Sequence, residues 1–66
     1  MTEEMAIVLT DVFNRIMNVA DAFYEKCDIP AYKELIAQAT ALELVANRFD
    51  CQFKESSNGS YVIVRM

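Results

Sequence analysis

From Glu3 to Cys27 the chain offers no proline and no glycine, and its apolar residues recur every three or four positions. That period belongs to a helix with one buried side. Leu9, Val12, Phe13, Ile16, Ala20, Phe23 and Cys27 line one side. Asp11, Asn14, Arg15, Asn18, Asp21 and Glu25 form a polar stripe on the other, with Asp11 and Arg15 spaced as an i, i+4 ion pair. Thr2 is the expected N-cap, and Glu3 and Glu4 sit where the helix dipole favours negative charge. The spacing predicts one helix over 3–27. Its apolar arc is too wide for a single partner: Val8 and Val19 extend it on one flank, Ala6, Met17 and Tyr24 on the other. Ile7 is out of place inside the polar stripe.

Asp28-Ile29-Pro30 breaks this helix and starts another, because proline cannot continue a helix but fits a first turn. Asp28 is the expected cap. A second helix over 30–49 follows, with Tyr32, Leu35, Ala39, Leu42, Ala46 and Phe49 as its main stripe. So short a connection makes the two helices antiparallel neighbours. Ala39 and Ala46 leave room for side chains of the first helix. Ala37, Ala41, Leu44 and Val45 make a second apolar surface.

The remaining residues, 51–66, change to strand character and carry Asn58-Gly59, a strong hairpin signal. A two-residue type I′ turn centred there pairs Glu55 with Val62, Phe53 with Val64 and Cys51 with Met66. It puts Phe53, Val62, Val64, Met66 and Cys51 on the core face and Gln52, Lys54, Ser56, Tyr61, Ile63 and Arg65 on the outer face. The expected fold is α+β: an antiparallel helical hairpin followed by a C-terminal β-hairpin (ααββ), in one domain over 1–66.

The chain has 66 residues and 55% are apolar, whereas a domain of this size hides only about 60% of its unfolded surface. The surplus predicts a homodimer, with Val8, Met17, Val19, Tyr24, Ala37, Ala41 and Leu44 as interface candidates. An unidentified protein partner is expected as well, at Lys54, Tyr61, Ile63 and Arg65 or along the acidic strip of Asp11, Asp21 and Glu25.

Other classes find little support. There is no His, and two Cys do not complete a structural zinc site. One glycine cannot build a phosphate loop. No catalytic, cofactor or metal residues are therefore assigned, and the chain is read as non-enzymatic. Six basic against ten acidic residues, a net charge of −4, argue against a phosphate-binding surface. The longest apolar run, Met5 to Leu9, is too short for a bilayer, so a cytoplasmic protein is expected. With the helices antiparallel, Cys27 and Cys51 lie about 30 Å apart, too far to bridge; they are read as buried thiols, with an intermolecular bridge or redox sensing as the alternative.

The functional expectation is a small acidic interaction module that homodimerises and binds another protein, in the manner of stoichiometric inhibitors or adaptors encoded by phages and plasmids. The alternative is a small dimeric nucleic-acid-binding regulator that reads a groove with the β-ribbon through Gln52, Lys54, Tyr61 and Arg65.

Overall fold

The computed structural model describes all 66 residues: α1 (Glu3–Glu25), α2 (Ile29–Arg48), β1 (Cys51–Glu55) and β2 (Tyr61–Arg65). The strands form one antiparallel pair. The helices pack on each other, with α1 against β2 and α2 against β1. This is the expected ααββ arrangement. Its long axis of 36 Å is about the length of α1.

The caps follow the local chemistry. Thr2 accepts the Met5 N–H at 3.1 Å, and Asp28 accepts the Ala31 N–H at 3.4 Å. The Asp28 cap starts α2 one residue before the expected position, which puts Pro30 within its first turn. At the other end α1 stops at Glu25, two residues early. Cys27 adopts φ 60° there, so that the N–H groups of Cys27 and Asp28 return to the carbonyls of Tyr24 and Phe23 at 3.0 and 2.9 Å. Those two bonds make a Schellman closure with cysteine where glycine is usual. Cys27 is consequently exposed, a correction to its expected burial; Cys51 is half-buried and both thiols are free.

Four residues are buried: Phe13, Ala20, Ala39 and Ala46. Three are alanines, of which Ala39 and Ala46 belong to the stripe expected to receive the first helix. Small residues let helices approach closely but fill little volume. Phe13, 2% exposed, is the one large anchor. Its ring stacks on Phe53 (centroids 4.0 Å apart, planes 10° apart) and meets the Tyr61 ring edge-on at 5.1 Å. Aromatic pairs in these geometries add to the burial of their area.

The hairpin differs from expectation by one residue. Cys51 pairs with Arg65, Phe53 with Ile63 and Glu55 with Tyr61. The turn is a three-residue loop, Ser57-Asn58-Gly59. Gly59 donates to the Ser56 carbonyl at 3.1 Å, Ser56 donates to the Ser60 carbonyl at 2.7 Å, and Gly59 carries φ +87°. Asn58 does not have positive φ, so the type I′ turn is excluded. The bonds and the Gly59 conformation are those of a type I turn closed by a glycine bulge. The Asn58 side chain accepts the Ser60 N–H at 3.0 Å and locks the loop. A shift of one residue turns every side chain of a strand to the other face. Tyr61 and Ile63 therefore join Phe53 on the inner face, while Val62 and Met66, assigned to the core, are exposed and Val64 is half-buried.

Candidate interaction surfaces

One sheet covers one side of two helices, and the opposite side is left bare. There Met5, Val8 and Leu9 of α1 face Val45 of α2 across an open groove of about 330 Å³, with Thr2 and Glu4 at its end. Val12 and Val19 continue the line of Val8 at helical spacing, and Phe49 lies one turn beyond Val45. Val8 is 54% exposed and Val19 46%; Met5, Val12, Val45 and Phe49 are exposed to a lesser degree. Val12 and Phe49 were expected in the core.

The expected interface residues do not share one surface. Val8 and Val19 lie on the bare helical face. Met17 and Tyr24 follow the line of Ala6 and Phe13 on the flank of α1 that borders the sheet; Met17 is half-buried and the Tyr24 ring leans on Tyr32 at 5.1 Å. Ala37, Ala41 and Leu44 are exposed on the side of α2 opposite Ala39 and Ala46, turned away from α1.

The expected partner-binding residues are also divided. The register places Tyr61, Ile63 and Arg65 on one face and Lys54 with Val62 on the other, so Lys54 and Arg65 form no common basic row. Burial against the helices raises the Tyr61 phenol above its ordinary value of 10.0, and the Glu55 carboxylate paired across from it pushes the same way. Asp11 binds Arg15 at 3.1 Å as the spacing predicted, with both side chains in solvent, where such a pair contributes little. Asp21 and Glu25 are exposed further along the strip.

On the sequence Asn14 is one member of the polar stripe. Its side-chain amide donates to the Tyr61 carbonyl at 2.9 Å and accepts the Tyr61 N–H at 2.7 Å. An asparagine beside the main anchor Phe13 was the available signal. Next to it a second open groove, about 470 Å³, runs between α1 and the outer edge of β2. Ala6, Ile7 and Thr10 form one wall, Val62 and Ile63 the other, and Glu3 and Asp11 border it. Nowhere do three Cys, Asp or Glu side chains converge as a metal site would require, and no helix is long and apolar enough to cross a membrane. No family model matches the chain, no curated protein is significantly similar to it, and no solved structure matches its fold.

Proposed function

We propose that the chain is a non-enzymatic interaction module that pairs with a second copy of itself and binds another protein, as a stoichiometric inhibitor or adaptor does. The observation that carries this reading is the bare helical face. Met5, Val8, Val12, Val19, Val45 and Phe49 make an apolar patch on the order of 500 Å², in the upper part of what a monomer's largest patch reaches. With its polar rim the face is comparable to the roughly 800 Å² per partner of a standard interface. Covering the patch on two copies is worth about 25 kcal/mol of gross transfer free energy. Lost rigid-body freedom, roughly 4–15 kcal/mol, together with side-chain ordering and desolvation of the polar rim, offsets much of this gain. Stacked face to face, two copies would form a four-helix layer between two hairpins.

Light scattering at micromolar concentration tests this. The expected mass is about twice the 7.5 kDa chain. Val12→Glu places a charge in the middle of the face and is expected to give a helical monomer, whereas Leu44→Glu, on the far side of α2, leaves the mass unchanged. A wild-type monomer that stays folded on dilution would overturn the self-association. The outward sheet face and the β2 edge remain open in such a dimer and are the surfaces left for a different protein.

A further inference from the structure

We infer that the paired rings of Tyr24 and Tyr32, at the end of the helices that the hairpin leaves uncovered, bind an arginine side chain from a basic segment of another protein. This rests on the protein-binding half of the proposed function and is independent of the self-association half.

Asn14 fixes how far the sheet reaches. It holds Tyr61, the first residue of β2. From there β2 runs back toward the start of α1, because Val62 and Ile63 face Ala6, Ile7 and Glu3 across the second groove. The strands have five residues each. They are therefore about 17 Å long, half the roughly 34 Å of α1. Beyond Asn14 only the Ser57-Asn58-Gly59 loop projects. The helix ends that meet at Asp28 have no strand above them.

Tyr24 and Tyr32 stand on this uncovered stretch, on the sheet side of the helices. Tyr24 continues the line of Phe13, and Tyr32 lies two turns before the buried Ala39. Their rings meet at 5.1 Å with a tilt of 56°. Tyr24 is 60% exposed and Tyr32 half-buried, so the pair is braced against the helices and presents ring surface to solvent. Ring faces of this kind attract cations, and a guanidinium is planar and weakly hydrated enough to stack on them.

The surrounding charges favour a cation. Asp21 lies one turn before Tyr24. Burial, then Glu55, Asp21 and Glu43, then the Tyr32 phenol, raise the Tyr61 phenol, so these groups gather between the rings and the hairpin turn. The one ion pair of the chain is Asp11 with Arg15, which leaves Asp21, Glu43 and Glu55 unpaired. No basic side chain faces the rings: Lys26 lies about 200° round from Tyr24 and Lys33 about 100° from Tyr32. Carboxylates alone would make a solvated acidic face. With the rings they suit arginine over lysine, since one guanidinium can stack on Tyr24 and bond the Asp21 carboxylate through two N–H groups.

Neither groove of the chain lies here, so the surface is open and a free small cation keeps most of its water. A chain segment brings further contacts along the helix ends and toward Glu55. Face-to-face pairing of two bare helical faces leaves this sheet-side surface accessible as well.

The test is an NMR titration of the full chain at low ionic strength with the capped peptide Gly-Arg-Gly-Arg-Gly. Its counterparts carry lysine or the neutral isostere citrulline in place of arginine, and spermidine stands for a free cation. The arginine peptide is expected to shift the Tyr24 and Tyr32 ring protons, with the effect fading as salt is raised. Tyr24→Leu changes an exposed ring and should weaken binding, read at Tyr32, about two- to fivefold. Asp21→Asn should weaken it as well. Glu34→Gln removes the same charge from the other side of α2 and should leave it nearly unchanged. No shift of the two rings at millimolar peptide overturns the inference. So does equal binding of the lysine peptide, the citrulline peptide or spermidine, and so does unchanged binding by Tyr24→Leu. Shifts that fall only on other residues reject this surface without rejecting protein binding itself. Light scattering on the same samples reads self-association separately.

Discussion

The Asn14 side chain stands against Tyr61 as a neighbouring strand would, giving one hydrogen bond and taking another across 47 residues of sequence. A helix side chain thereby does two things. It fixes β2 against α1, and it blunts the part of the sheet edge nearest the turn.

Asn14→Ala leaves the Tyr61 N–H and C=O without partners in a half-buried place. The expected cost is about 2 kcal/mol, from an intramolecular bond worth about 1 kcal/mol each way. Urea denaturation measures it. Asn14→Asp keeps an acceptor for the Tyr61 N–H but loses the donor and sets a carboxylate against the Tyr61 carbonyl, so it should also destabilise the chain. A loss within error for both variants would mean that the clasp contributes nothing to stability.

Phe13 carries the large-residue part of the core almost alone. Phe13→Ala is expected to cost about 3–5 kcal/mol, enough to unfold much of a domain this small at room temperature. Phe13→Leu keeps most of the volume and should remain folded with reduced stability. Near-ultraviolet and far-ultraviolet circular dichroism distinguish the two outcomes.

Cys27 holds a left-handed conformation with its side chain in solvent. A non-glycine residue there carries a penalty of roughly 1–2 kcal/mol, partly offset by the greater freedom glycine has when unfolded. Cys27→Gly should therefore stabilise the chain by about 0.5–1 kcal/mol. Cys27→Val should destabilise it, because a branched side chain tolerates positive φ least. Thermal melts under reducing conditions test both.

Tyr61 predicts the alkaline limit. Its phenol titrates higher when folded than when unfolded, because burial and then Glu55 disfavour the charged form. The stabilisation of the neutral phenol is fully present below the unfolded value near 10 and is lost as pH rises through the folded one. Stability should fall as pH is raised beyond about 10. Tyr61→Phe should remove that part of the fall. If the mutant and the wild type lose stability in parallel, the phenol is not responsible.

Helix periodicity, Thr2, the Asp28 and Pro30 break and the Asn58-Gly59 turn together specify two helices and a hairpin in this order. Those signals are local: a cap or a proline acts within one turn, and a stripe repeats along one element. The register of the hairpin is not local. Asn58-Gly59 suits either a two-residue loop or a type I turn with a glycine bulge, and β2 is apolar on both faces, Tyr61 and Ile63 on one and Val62 and Val64 on the other. Neither the turn nor the pattern could choose between them. The choice lies with Phe13, whose ring packs against Phe53 and Tyr61, and with Asn14, whose amide fits the Tyr61 backbone. Packing from a helix more than 40 residues away thus decided which side of the strand faces in. The same tertiary decision dispersed the expected interface residues over three surfaces. A helical wheel gives the width of an apolar arc, but only the position of the sheet shows which part of it stays uncovered.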